Sequence, residues 1–304
     1  MLHSGFSLDR EDGAKVKVYR WAPDGASKAA IQIAHGMCEH AGRYERLAGA
    51  LTAAGYQVYA SDHRGHGPDA QKHDLGHLAD QNGWRKCLDD LWAVNRRLAA
   101  DAPTAKIIFL GHSFGSFMGQ QFISEHGEVL AGAVLSGSNG KPSAILPLGR
   151  AIARFERWRL GPRGHSMILR KMLFDEYNNR FRPTRTGFDW LSRDANEVDK
   201  YVADPLCGFP FSNQLAIDFF DALGPIASAA TVARIPKALQ IYIFSGSRDP
   251  VGDDLQSLIG AYRSAGLKTT AKIYPDARHE TLNEINRDQV TSDLIAWIDE
   301  VVGR

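Results

Sequence analysis

The stretch IIFLGHSFGSFMGQQF occupies positions 107–122. Four apolar residues lead directly into Gly-His-Ser-Phe-Gly, and apolar residues then recur at helical spacing. A short apolar run, a glycine-bounded turn and a helical pattern are typical of a buried strand that passes into a crossover helix. The stretch therefore predicts a strand over 106–113, a sharp turn at Ser113 and a helix that ends near Gly127.

Short apolar segments alternate with helical patterns on both sides of this turn. Further strands are predicted at 29–35, 56–62, 129–138, 239–247 and 269–276, and further helices at 43–55, 84–100, about 254–265 and 286–302. Such alternation indicates crossover units and a mainly parallel sheet. Residues 15–21 alternate polar and apolar side chains and are predicted as an antiparallel edge strand.

The alternation stops between about residues 140 and 235, a segment that contains seven prolines and no apolar strand pattern. Its first part, residues 141–200, has 13 Lys or Arg against 7 Asp or Glu. We therefore predict an α/β fold with a mostly parallel central sheet flanked by helices and an inserted helical cap. The predicted core covers residues 1–140 and 235–304, and the cap covers residues 141–234.

The composition of the 304-residue chain is that of an ordinary globular protein, with a net charge of +1 that does not predict nucleic-acid binding. No apolar run approaches the roughly 18 residues of a spanning helix. The start MLHSGFSLDR lacks signal-peptide features, so a cytoplasmic location is expected. The three cysteines Cys38, Cys87 and Cys207 form no CxxC pair and are predicted to be reduced and packed.

Ser113 is the predicted nucleophile. A GxSxG turn between a strand and a helix forms a nucleophile elbow, whose glycines are needed because side chains there would collide with the neighbouring strand or helix. The similar GHSMI at 164–168 lacks both the second glycine and a preceding strand. A structural strand-to-helix turn without chemistry is the alternative.

The order of the chain selects the partners of this serine. In nucleophile-elbow enzymes the acid and then the histidine follow the serine, and His279 is the only histidine after His165. Asp249 stands at the end of the preceding predicted strand and is the predicted acid. The nearby acids that remain open as alternatives are Asp253, Asp254 and Asp276.

An oxyanion hole needs two backbone donors. One is expected to be the amide of Phe114, the residue after the nucleophile, and the second is expected from Met37 in the loop AHGMCEH. An ordinary strand-to-helix loop is the alternative for the second position.

The motifs HGMCEHAGRY, SDHRGHG, GHSFGS, GSRDPVGD and YPDARHETLNE, in that order, resemble the α/β-hydrolase family of monoacylglycerol lipases and lysophospholipases, often grouped with serine aminopeptidases. The resemblance covers about residues 10–140 and 235–300. It implies a triad of Ser113, Asp249 and His279, with Met37 and Phe114 at the oxyanion positions. It also implies hydrolysis of monoacyl lipid esters through an acyl-enzyme, without a cofactor or a metal.

Other functions fit the same residues. A short-chain carboxylesterase, an amide or peptide hydrolase, and a catalytically silent binding protein on the same fold all remain open. Early histidines, including HDLGH at 73–77, suggest a metal site, but no HExxH frame accompanies them. Cys38, beside the oxyanion loop, raises the further hypothesis of sensitivity to thiol reagents.

Residues 145–160 form a basic amphipathic helix pattern in the predicted cap. Ile145, Leu148, Ile152 and Phe155 fall on one helical face, with arginines elsewhere. We expect this face to pack over the pocket. Peripheral contact of the basic cap with a membrane is the alternative, and the two can coexist.

Overall fold

A computed structural model describes residues 2–70, 74–142 and 144–303. In these ranges eight strands form one sheet in the order β1-β2-β4-β3-β5-β6-β7-β8. The strands are β1 (Leu2–Asp9), β2 (Lys15–Ala22), β3 (Ala30–Ala34), β4 (Gln57–Ser61), β5 (Ile107–His112), β6 (Gly132–Ser136), β7 (Gln240–Gly246) and β8 (Lys268–Tyr274). The strands β3 to β8 run parallel, whereas β1 and β2 pair antiparallel.

The six parallel strands confirm the predicted alternation. The prediction for residues 15–21 was right in direction and wrong in position, because β2 lies inside the sheet and β1 occupies the edge. The sequence LHSGFSLD of β1 was missed since Gly and Asp are poor strand formers and an edge strand needs only one packed face.

Eleven α-helices are assigned within the described ranges. They are α1 (Glu45–Ala53), α2 (Gly83–Asp101), α3 (Phe114–His126), α4 (Leu146–Leu160), α5 (Met167–Arg170), α6 (Glu176–Asn179), α7 (Ala195–Ala203), α8 (Asn213–Ile226), α9 (Ala229–Arg234), α10 (Leu255–Ser264) and α11 (Arg287–Gly303). The predicted helices beside the sheet correspond to α1, α2, α3, α10 and α11.

The sheet is buried on both faces, as parallel sheets require. In β5, Phe109 packs in the cluster that includes residues of α2, α3 and α10, while Ile108 and Leu110 pack in the cluster that includes residues of α1 and α11. Successive side chains of a strand point to opposite faces, so one apolar run fills both cores.

The helices α4 to α9 all lie between β6 and β7 in the chain. We propose that residues 141–234 act as one cap over the carboxyl ends of the strands, as the loss of strand pattern predicted. Phe219 of α8 contacts Phe114 and Phe117 of α3, with ring centroids 5.5 and 5.4 Å apart. Among the described residues, no helix has both the length and the apolar character needed to cross a membrane.

Candidate active site

The turn between β5 and α3 is strained. Ser113 adopts φ 50° and ψ −118°, a conformation that non-glycine residues rarely occupy. A Cβ on Gly111 would lie 2.3 Å from the carbonyl oxygen of Gly115, and a Cβ on Gly115 would lie 2.2 Å from that of Ala34. The clash predicted for side chains at both glycines is therefore confirmed: one collides with the helix and the other with the adjacent strand.

Asp249 and His279 meet at the ends of β7 and β8. Nδ1 of His279 lies 2.9 Å from Oδ1 of Asp249, and both side chains are buried. Ser245 donates its hydroxyl to Oδ2 of Asp249 at 2.5 Å, and the Val251 amide donates to Oδ1 at 2.9 Å. Because a carboxylate only accepts, the hydrogen on the imidazole sits at Nδ1 and leaves Nε2 as the basic nitrogen.

The competing acids lie elsewhere. Asp253 pairs with Arg180 at the surface, and Asp254 stands at the N-terminus of α10. Asp276 is exposed, with its backbone amide bound to Ser247. Of the four acids considered from the sequence, the structure joins Asp249 to the histidine.

The pKa values of this pair move apart. Burial alone would raise the pKa of Asp249, but the charge and hydrogen bond of His279 outweigh burial and lower it. Burial alone would lower the pKa of His279, but the charge and hydrogen bond of Asp249 outweigh that effect and raise it above its usual value. The pair therefore favours an ionised carboxylate and an imidazole that is more basic than a free one.

His279 lies close to the serine turn. Its ring centroid is 4.8 Å from that of His112, the residue before Ser113, and 5.0 Å from that of Trp190. Trp190 and Ser113 line the same cavity. Trp190 and Ser245 could not be predicted from the sequence, since neither stands in a recognisable motif.

The loop after β3 lies against the nucleophile. A Cβ on Gly36 would lie 3.3 Å from Cβ of Ser113. The Gly36 amide donates to Oε1 of Glu39 at 2.5 Å, and the Cys38 amide donates to Nε2 of His66 at 3.1 Å. The amide between them, on Met37, has no acceptor among the described residues.

Phe114 is the first residue of α3, so its amide has no partner within the helix. Met37 and Phe114 both line the cavity that contains Ser113. The two predicted amides thus belong to segments that meet at the serine, and both remain available for a ligand.

Three early histidines hold this loop as neutral hydrogen-bonding groups. His35 donates from Nδ1 to the Gly36 carbonyl at 2.7 Å and accepts the His63 amide at Nε2 at 3.0 Å. Burial lowers the pKa of His63 to about 4 and that of His66 to about 3. Both ring nitrogens of His35 and His66, and Nε2 of His63, are committed to loop contacts, so these side chains hold the loop in place.

The HDLGH segment gives no metal frame in the described chain. His73 lies outside the described residues, and both ring nitrogens of His77 are engaged, by Ser212 at 3.0 Å and Asp80 at 2.9 Å.

Another cluster brings His40, Asp204 and Cys207 together, with one ligand atom from each within 4.8 Å of the others. Nε2 of His40 already contacts Oδ2 of Asp204 at 2.9 Å, and its Nδ1 is buried without a partner in the described chain. The contact between His40 and Asp204 is accounted for as a hydrogen bond within the protein, and no ion is needed to explain it.

The thiol hypothesis for Cys38 loses its basis. The side chain is fully buried, and burial raises the pKa of its thiol. Only a thiolate reacts readily, so Cys38 is expected to resist alkylation in the folded protein. All three cysteines are free and buried, as predicted.

The cavity at Ser113 has a volume of about 200 Å³ and is largely apolar. Asn139, Lys141 and Ser113 supply the polar groups of its lining. The apolar lining combines core and cap residues: Met37, Phe114, Phe117, Ile145, Leu146, Met172, Leu173, Phe174, Tyr177, Trp190, Phe219, Phe220, Leu223 and Val251.

The sheet order, the strained serine and the buried Asp–His pair define an α/β-hydrolase with a serine-hydrolase type of site. The chain matches the family model "Serine aminopeptidase, S33" over residues 25–286, and it belongs to that family. This confirms the family resemblance predicted from the motifs.

Named relatives extend across the same length. A monoacylglycerol lipase of Mycolicibacterium smegmatis is 28% identical over 291 residues, which cover 94% of this chain and 93% of that protein. A monoglyceride lipase of Mus musculus is 26% identical over 298 residues, which cover 96% and 89%. A thermostable carboxyl esterase of Bacillus coagulans, solved with glycerol, shares the fold with a TM-score of 0.91, 24% identity and 99% coverage of both chains.

Proposed function

We propose that this protein is a serine hydrolase that cleaves carboxylic esters of monoacyl lipids, monoacylglycerols or lysophospholipids, through an acyl-enzyme. The observation that carries the proposal is the buried Asp249–His279 pair beside the strained Ser113 turn, at an apolar cavity. The relatives named as monoacylglycerol lipases support the substrate class.

In the acylation step Nε2 of His279 accepts the proton of the Ser113 hydroxyl while Oγ attacks the ester carbonyl carbon. Asp249 keeps the other proton on Nδ1 and stabilises the imidazolium that forms. The carbonyl oxygen becomes an oxyanion, which the amides of Met37 and Phe114 receive.

Collapse of the tetrahedral intermediate breaks the bond between the carbonyl carbon and the alcohol oxygen. The imidazolium of His279 gives its proton to this leaving alcohol, and the acyl group stays on Ser113. A water molecule then attacks the acyl-enzyme with His279 as base, and the fatty acid and free serine are released.

The cavity favours a modest acyl chain. Its volume of about 200 Å³ lies below the roughly 300–1,000 Å³ common for small-molecule sites. This supports short-chain carboxylesterase activity as the second candidate function. Hydrolysis of p-nitrophenyl esters with acyl chains from acetyl to palmitoyl separates the two, because a monoacyl lipase retains activity on long chains.

Contact with a lipid surface is also proposed, through apolar rather than basic groups. Phe155 and Trp158 of α4 are 54% and 80% exposed, and Met167 of α5 is 73% exposed. The expectation that the apolar face of α4 packs over the pocket is wrong for Leu148 and Phe155, which point outward.

Small residues explain this orientation of α4. Gly149 and Ala153 form its buried face together with Glu156, which is paired with Arg159. Several cap arginines form ion pairs within the protein, for example Arg154 with Asp221 at 2.9 Å. Apolar insertion is therefore the stronger basis for membrane contact.

A reducing compartment such as the cytoplasm is proposed because the three cysteines are free and buried.

Amide and peptide hydrolysis would use the same groups, and a silent binding protein would need none of them. The direct test is hydrolysis of a monoacylglycerol and of a lysophospholipid by the wild type and by Ser113→Ala. Activity that vanishes in the variant supports the proposal. A folded wild type that leaves every ester intact would refute it.

A further inference from the structure

We propose that Glu39 and Arg43 are positioning residues that aim the Met37 amide and lock the oxyanion loop, residues 35–39, to the loop that carries His279. The inference rests on the ester hydrolysis proposed above and adds residues to which that mechanism assigns no role.

Glu39 fixes the backbone immediately before Met37. Its side chain is buried, and Oε1 accepts both the Gly36 amide at 2.5 Å and the Tyr44 hydroxyl at 3.0 Å. The Gly36 amide is thereby turned toward Glu39 and is unavailable to the substrate. The Cys38 amide is held by His66. The amides on both sides of Met37 are therefore anchored, and the Met37 amide lies between them.

Arg43 joins this loop to the histidine loop. It donates from one terminal nitrogen to Glu39 at 2.5 Å and to Oε1 of Glu280 at 2.7 Å, and from the other to Oε2 of Glu280 at 2.7 Å. Glu280 directly follows His279. A planar guanidinium in such a two-pronged contact fixes direction as well as distance.

The cap adds a third anchor. Arg43 lies over the ring of Tyr201 from α7, 4.8 Å from its centroid, and the Tyr201 hydroxyl donates to the Cys38 carbonyl at 2.8 Å. Arg43 therefore stands where the oxyanion loop, the histidine loop and the cap converge.

Stability alone does not account for this arrangement. Burial would raise the pKa of Glu280, but Arg43 outweighs it and lowers the value to about 2, so the pair stays ionised. Replacing a buried ion pair by apolar groups of equal volume is often neutral or stabilising, so we assign this pair a role in geometry. Oxyanion donors need that geometry, because displacement by about 1 Å costs on the order of 100-fold in rate.

The test uses Glu39→Gln, which preserves volume and one acceptor oxygen. The Gln carboxamide can satisfy Gly36 or Arg43 with that oxygen but turns an NH₂ toward the other, so the loop loses one anchor. We expect kcat on a p-nitrophenyl ester to fall about 10- to 100-fold, with KM within about twofold. Affinity for a phenylboronic acid, whose serine adduct places an oxygen in the hole, should fall by a similar factor.

Glu125→Gln is the matched control, since it makes the same substitution in an ion pair, with Arg85 at 2.7 Å, away from the site. It should leave kcat and boronate affinity unchanged. Arg43→Lys keeps the charge but loses the fork, and it should reduce kcat at nearly constant KM. This second variant carries the test if Glu39→Gln does not fold.

A folded Glu39→Gln with wild-type kcat and boronate affinity would overturn the inference while leaving the proposed function intact. If Glu39→Gln does not fold, wild-type kcat in Arg43→Lys has the same meaning. A wild type that neither hydrolyses esters nor binds the boronate would overturn the proposed function, and this inference with it.

Discussion

The carboxyl end of the sheet and the cap are built on opposite principles. At the sheet end, Gly111 and Gly115 have no room for a Cβ, and buried ion pairs hold the loops around Ser113. In the cap, Phe155 and Trp158 are exposed and the charges pair mostly at the surface. The residues around Ser113 are therefore fixed by close backbone contacts, whereas we expect the outer surface of residues 141–234 to tolerate substitution.

Among the variants that test this comparison, Ser113→Ala is expected to have the largest effect on ester hydrolysis. Without the nucleophile, ester hydrolysis should fall at least about 10⁴-fold, as in other triad enzymes. Initial rates on p-nitrophenyl butyrate measure the loss. Ser124→Ala, on the same helix and with its hydroxyl bonded to the Gln121 carbonyl, is the control and should remain active. Comparable losses in both folded variants would contradict the assignment.

Asp249→Asn should lower kcat about 10³- to 10⁴-fold, because the imidazole loses its orienting carboxylate. Since Asp249 raises the pKa of His279 and the base must be neutral, wild-type kcat/KM should rise with pH through a midpoint above 6.5. The variant lacks this carboxylate charge, so the midpoint of its residual activity should lie at lower pH than that of the wild type. Profiles with the same midpoint would refute this coupling.

Gly115→Ala tests the close backbone contacts at the carboxyl end of the sheet. The new Cβ would meet backbone atoms of Ala34 that have no room to move. We expect a loss of about 3 kcal/mol or more in the free energy of unfolding. Gly260→Ala on α10 meets nothing within 4 Å and should instead gain about 0.5–1 kcal/mol. Urea denaturation measures both, and a neutral Gly115→Ala would contradict the close-contact account.

Gly149→Leu tests the side of the cavity that α4 forms. Gly149 lines the cavity, and a Cβ there would lie 3.5 Å from Phe220, in ordinary contact. The leucine side chain should fill space that long acyl chains would use. We therefore expect kcat/KM for long-chain esters, relative to that for short-chain esters, to fall about tenfold. Gly149→Ala, which adds only the Cβ, should keep the wild-type profile. An unchanged profile for leucine would place the acyl chain elsewhere.

The smallest effect on the chemistry is expected from Phe155→Ser combined with Trp158→Ser. Both side chains lie on the outer face of α4, so kcat/KM on dissolved p-nitrophenyl acetate should stay within about twofold, as for other surface substitutions. Binding to phosphatidylcholine vesicles should weaken several-fold as apolar area is lost. Sedimentation with vesicles measures this, and equal binding by the variant would rule out α4 as the contact.

The sequence sufficed where a local pattern dictates structure. The apolar run into GHSFG predicted β5, the turn and α3. The order of the chain selected His279, and the position at the end of a strand favoured Asp249 over its acidic neighbours; the two side chains lie 2.9 Å apart. The edge strand β1 was not predicted because its composition is mostly polar. The exposure of the apolar face of α4 was not predicted, because helical periodicity shows that a face is apolar but not whether that face packs against the core.

The ionic contacts of Glu39, Arg43 and Glu280 were not predicted for a different reason. Arg43 and Glu280 are 237 positions apart, and no period or spacing relates them. The motifs HGMCEHAGRY and YPDARHETLNE contain these residues, but only the fold shows that they pair. Long-range ionic contacts are thus the part of the site that the sequence hides.

The central claim is that Ser113 carries the acyl group. The most direct measurement treats the wild type with a fluorophosphonate probe, follows residual ester hydrolysis, and maps the modified residue by peptide mass spectrometry. We predict one probe per chain, on Ser113, with activity lost in proportion to labelling. Full esterase activity after complete modification of Ser113, or labelling at another residue that tracks the loss, would contradict the account.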